Sequence, residues 1–177
     1  MAFLLDPKRS HVRAFTTTEG FLARLAHDLE IAVPDLAGEV EEGPPAHARI
    51  RVGVASIAVV GVVKKGRTDR DALAAWERSQ IVGRIRDDVF SGSNEVRVEA
   101  TLEDDHARLD VILPHARETV RAPVTVRRTA TEVNVKGECA ISLRGLGVAP
   151  LKGPMGAFVV ADRVRLTFDL VFVNAGA

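Results

Sequence analysis

The sequence has one cysteine, an aromatic share of 5%, and no surplus of either charge. A lone Cys139 cannot form an intramolecular disulfide, which fits a reducing compartment, and cytoplasm is the expected location. Lys and Arg together number 24, as do Asp and Glu. The balance leaves no excess charge to neutralise a run of phosphates or to hold the whole chain against an anionic surface, so no nucleic-acid partner is expected. Hydrophobic runs are short as well. Phe3 to Leu5 falls below signal-peptide length and leads straight into Asp6-Pro7, and no stretch approaches a membrane span, so no integral membrane segment is expected.

What is present is an ordinary globular mixture: 177 residues with 46% apolar and 27% charged, enough for one compact core. No repeat, low-complexity linker or composition shift divides residues 1–177, and Gly43-Pro44-Pro45 reads as a loop between strands. The dominant local signal is alternation of apolar and polar residues, the pattern of a strand with one dry and one wet face. Val164, Leu166, Phe168, Leu170 and Phe172 alternate with Arg163, Arg165, Thr167 and Asp169; Val133, Val135, Cys139, Ile141 and Leu143 share a second dry face.

Val96, Val98, Ala100 and Leu102, then Leu109, Val111 and Leu113, predict a hairpin turning at Glu103-Asp104-Asp105-His106. Weaker strands are expected at Ser10 to Thr16, Glu30 to Glu41, Ala48 to Ile57 and Glu118 to Arg128. Together these make about eight strands, the number that closes a barrel around one small ligand. One segment departs from alternation. Leu73, Trp76, Ile81, Ile85 and Val89 follow helical spacing behind Thr68 and Asp71, predicting a helix over about 69–89. The expected class is all-β: an antiparallel barrel with one inserted α-helix.

Candidate chemistry is sparse. Gly61 to Thr68 has the spacing of a phosphate-binding loop, but Arg67 stands where the lysine belongs and no alternating strand-helix units surround it; the plain reading is a basic loop leading into a helix. The five histidines lack paired ligand spacing, and Asp69-x-Asp71 has Ala74 where a calcium loop needs glycine, so neither metal nor cofactor is expected. Cys139 reads as a small buried hydrophobe, and Ser91 and Ser93 lack a nucleophile elbow. His27 beside Asp28 is the one acid/base pair in view. It supports a hydrolytic or isomerising enzyme only weakly, and the expectation is a protein without catalysis.

The dry faces are mostly Val, Ala and Leu. Small inward side chains leave room in a barrel of this size for an apolar guest, whereas tighter packing would fill it; composition leaves both open. The residues expected to line an open lumen are Val96, Val98, Leu109, Val111, Val133, Val135, Leu166, Phe168 and Leu170, with His27 and Asp28 near an opening. A filled barrel would instead act as a protein-interaction module or homodimer.

Several segments, in order along nearly the whole chain, resemble the YceI-like family. They are Leu5-Asp6-Pro7 through Ser10, Gly20-Phe21-Leu22 with Leu25-Ala26-His27-Asp28-Leu29, Ile85 to Phe90, Glu95 to Val98, Leu146 to Pro150 and Gly156 to Val160. Ala26 replaces the glycine usual before His-Asp, and Leu146 a phenylalanine. The resemblance implies a lipocalin-like antiparallel barrel with a helix and a long apolar cavity for a polyisoprenoid or related lipid.

Overall fold

The computed structural model describes residues 2–20 and 26–174. Phe21, Leu22 and Leu25, which belong to one of the resembling segments, lie outside them. The strands are β1 (Ala2–Leu5), β2 (His11–Phe15), β3 (Thr18–Glu19), β4 (Leu29–Ala32), β5 (Leu36–Glu41), β6 (His47–Gly53), β7 (Ala58–Lys64) and β8 (Arg67–Asp69), followed by helix α1 (Ala75–Arg84), and then β9 (Glu95–Glu103), β10 (His106–Leu113), β11 (Ala116–Arg128), β12 (Glu132–Ser142), β13 (Val159–Val160) and β14 (Arg163–Asn174).

Eight of these strands, β1-β5-β6-β9-β10-β11-β12-β14, hydrogen-bond in sequence, and β1 returns to β14 to close the ring. The closing register sets Leu5 opposite Phe172, and β1 meets β5 with Phe3 opposite Val40. Phe3, Val40 and Phe172 are buried there with Val133, so their side chains fill this end of the barrel. Closure removes the exposed edges that an open sheet would present.

The other end is built differently. β14 is long enough to pair with β1 near its C-terminus and with β2 further back, Val12 facing Phe168. From β2 the sheet continues through β4 and β7 to β8, the edge strand of this extension. α1 follows that edge and packs through Ile81 and Val82 against Val59, Val62 and Leu73, the last in the turn before the helix.

The expected strand from Glu30 to Glu41 is two strands, separated at Val33-Pro34-Asp35. Proline has no N–H for the ladder. β6 ends at Gly53, where an added Cβ would come within 1.7 Å of the Asp35 carboxylate, so glycine lets the two chains approach. The segment read as a basic loop, Gly61 to Thr68, is a β7–β8 hairpin. It turns on Lys65 and Gly66 at φ 51° and 75°, and its flanks pair with each other from Val62 opposite Asp69 to Lys64 opposite Arg67, so the turn joins two strands and does not open a helix as a phosphate loop does.

The helix is shorter than the 69–89 expected from spacing. Asp69 remains in β8 opposite Val62, and its carboxylate accepts the Asp71 N–H at 3.1 Å, holding the chain in a turn. Helix begins only after Ala74, whose N–H is taken by the Glu77 carboxylate at 2.8 Å, while the Thr68 hydroxyl is engaged with Glu30. At the far end α1 widens into a π-helical turn over Ile85–Val89. The β9–β10 hairpin turns where the acidic run predicts, with Asp104 at φ 55°.

Candidate functional site: an apolar cavity with a polar mouth

The dry faces of the barrel enclose a cavity of about 660 Å³, so of the two states that composition leaves open, the lumen has the open one. Its walls come from alternate residues of facing strands. Ile50 lies opposite Val98, and Val98 opposite Val111, across β6, β9 and β10. Leu166 and Cys139 face each other across β14 and β12. Aliphatic side chains and a cysteine at these positions leave the axis unoccupied, whereas Phe3 and Phe172 fill it at the closed end.

Phe168 reaches across the wall because β12 has glycine beside it. A Cβ at Gly137 would stand 2.5 Å from the Phe168 ring, too close for any other residue without displacement.

The polar lining residues are confined to the mouth. Thr16, Thr18 and His27 come from the β2–β4 side, Glu77, Gln80, Arg84 and Asp88 from α1 and its π turn, and Lys152 from the segment after β12. Leu151, Pro154 and Phe158 complete that last segment's contribution. Arg84 donates to the Lys152 carbonyl at 3.4 Å and pairs with Asp88 at 3.3 Å, tying helix to loop.

Among the expected lining residues, Val96, Val98, Leu109, Val111, Leu166, Phe168, Leu170 and His27 lie on the cavity wall. Val133 and Val135 do not. Both are on the dry face of β12, but Val133 stands opposite Phe172 in the packed end and is 2% exposed, and Val135 packs into the same core one step along the strand. Asp28 is also not part of the wall: its Oδ1 accepts the Thr18 N–H at 3.0 Å and the Thr18 hydroxyl at 3.2 Å, which clips β3 beside the opening. That carboxylate holds backbone in place and does not orient His27 as a base would require.

Cys139 faces the cavity from β12. Burial pushes its thiol up to about 11, with Glu118 and Glu138 adding to the shift, so it is a neutral apolar wall residue and not a thiolate. Among the described residues no group of three or more His, Cys, Asp or Glu could hold a metal ion. The sequence reading missed Ile50, Val52 and Trp76 as lining residues. Ile50 and Val52 alternate with Arg49 and Arg51, a signal that was there to be read; for Trp76 helical spacing suggested a buried face, whereas it is 63% exposed at the mouth.

No family model and no curated protein matches the chain. Among solved structures it is similar to BcnA of Burkholderia cenocepacia, with a TM-score of 0.64 and 18% identity over 94% of this chain and 98% of that one. It is also similar to a polyisoprenoid binding domain from Saccharophagus degradans implicated in plant cell wall breakdown, with a TM-score of 0.66 and 13% identity over 97% of each chain. The fold is a YceI-like barrel. At these identities the likeness is one of architecture. No described helix is long and apolar enough to cross a membrane.

Proposed function

We propose that this chain binds an apolar, lipid-like molecule, a polyisoprenoid or a related lipid, inside the barrel, and that it carries or stores that molecule without transforming it. The observation that carries the reading is the cavity of about 660 Å³ with apolar walls and polar groups only at one mouth. That size falls within the range of small-molecule sites, about 300–1,000 Å³. Each methylene transferred from water contributes roughly 0.8 kcal/mol, so some ten buried methylenes supply about 8 kcal/mol before the costs of association. The walls offer nothing directional, so length and cross-section would select the guest. The polyisoprenoid binding domain of Saccharophagus degradans, similar in fold, supports the ligand class.

Native mass spectrometry of the purified protein, followed by organic extraction of whatever it releases, tests the reading. A stoichiometric prenyl or acyl species is expected. A bare chain that also takes up neither prenyl alcohols nor fatty acids offered from detergent overturns it, and leaves the barrel to a protein-interaction or homodimeric role.

A further inference from the structure

The cavity stops at one level of the barrel, and the wall residues just past that level are small. On β6 the lining runs through Val52 and Ile50, and the next inward residue is Ala48. On β9 it runs through Val96 and Val98, and the next is Ala100; on β10 it runs from Leu113 through Val111 to Leu109, and the next is Ala107. None of these alanines borders the open space. On β14 the lining ends at Leu170, and the next inward residue is Phe172. The register ties these positions together, since Phe3 stands opposite Val40, Val40 opposite Ala48 and Ala48 opposite Ala100.

An alanine puts only a methyl group into the lumen, so the walls of β6, β9 and β10 do not end it by themselves. The rings of Phe3 and Phe172 take up the space at this level. Both come from β1 and β14, the strands whose pairing closes the ring. The lumen is therefore a tube stopped by two side chains. At its other end His27, Gln80 and Lys152 stand at the mouth. A guest with one polar end keeps that end at the mouth and sends its chain toward the two rings.

We propose that Phe3 and Phe172 set the length of the guest, and that the guest is a prenyl chain of about four or five isoprene units. An engineered protein cavity of about 150 Å³ accepts benzene, which gives roughly 25 Å³ for each carbon; at that density the 660 Å³ here hold about 25 carbons. A longer chain leaves carbons in water at the mouth, whereas a detergent micelle covers all of them. Uptake from detergent therefore weakens by about tenfold or more for each unit left outside. Replacing either phenylalanine with alanine removes a phenyl ring, which at the same density frees room for about one more isoprene unit. The inference rests on the lipid-binding reading and adds to it a chain length and the two residues that fix it.

The test is competition among farnesol, geranylgeraniol, geranylfarnesol, hexaprenol and nonaprenol, all delivered from one detergent, with the bound species read by native mass spectrometry. The parent should retain geranylgeraniol or geranylfarnesol several-fold over farnesol, which leaves part of the lumen unfilled, and about tenfold or more over nonaprenol. Phe3→Ala and Phe172→Ala should each move the preferred length up by about one unit. Leu170→Trp adds bulk next to Phe172 on the same face and leaves both rings in place. It should move the preference down by about one unit, and it decides the matter even where an alanine variant fails to fold. Equal retention of all lengths by the parent, or a Leu170→Trp variant with the parent's preference, overturns the length-setting role and leaves lipid binding standing. A parent that takes up no prenyl alcohol and no fatty acid overturns the lipid-binding reading, and the length-setting role with it.

Discussion

The ring of Phe168 lies over Gly137 on the neighbouring strand, so close that a Cβ added to the glycine would meet it at 2.5 Å. The two residues are partners in the β12–β14 register, and the ring borders the cavity. Replacing Gly137 with valine therefore sets a branched side chain where the ring now sits. The ring must rotate into the lumen or the strands must part. Overpacking of this kind costs about 1–3 kcal/mol, so a lower denaturation midpoint and reduced uptake of prenyl alcohol are expected together. Unaltered values of both would mean that the strand adjusts without disturbing the ring.

Val98 and Val111 face each other across β9 and β10 in mid-cavity. Val98→Trp and Val111→Trp should occupy the lumen at a similar cost of about 1–3 kcal/mol and reduce bound lipid at least severalfold while the circular dichroism spectrum stays that of a β-barrel. Full lipid retention in both variants would place the ligand elsewhere.

Cys139 provides a second probe of occupancy. Its thiol is held at about 11, so at neutral pH the reactive thiolate is a small fraction and alkylation is slow. Labelling should accelerate as pH rises toward that value, and a bound lipid should slow it further by covering the sulfur. Mass spectrometry of iodoacetamide-treated protein, with and without added prenyl alcohol, reads both effects; equal labelling in the two samples would show that the guest does not reach this wall.

Asp110, buried on the outer side of β10, accepts hydrogen bonds from the Thr119 hydroxyl and from Arg117 at 2.8 Å. The Thr119 bond is the largest influence and Arg117 adds to it, and together they outweigh burial and hold the carboxyl below its usual value. A carboxylate whose acidity is strengthened by folding adds stability above its unfolded value, about 3.9, and that contribution is lost as pH falls through the lower folded value. Asp110→Asn should therefore lower the denaturation midpoint at pH 7 and narrow the gap to the parent as the pH drops toward 3. A constant gap across that interval would assign the effect to packing.

Much of the barrel was legible in the sequence, because strand alternation is written by the backbone itself. Successive side chains point to opposite faces, so the row Val164 to Phe172 declares its dry face before any partner strand is known. The acidic turn between β9 and β10 was legible for a related reason, since aspartate tolerates the left-handed backbone that Asp104 adopts. The β7–β8 hairpin was not. Ala58 to Lys64 is apolar with little alternation, and its turn residues imitate the spacing of a phosphate loop. The helix start was misplaced because Asp69 is held in β8 by pairing with Val62, and that pairing overrides a capping pattern.

What the sequence alone determined is therefore which side of the alternating strands turns inward and that the chain forms an all-β barrel with one helix, since both follow from local periodicity. What only the tertiary structure decided is height along the barrel. Val133 and Leu166 belong to the dry faces of paired strands, yet one is packed beneath Phe172 and the other borders open space. The difference arises where β1 closes on β14 and the large side chains of Phe3 and Phe172 fill that end, a consequence of register between strands distant in sequence. Asp28 bonded to Thr18 beside the mouth and Trp76 exposed above it are likewise placements that no repeat within a single strand or helix encodes.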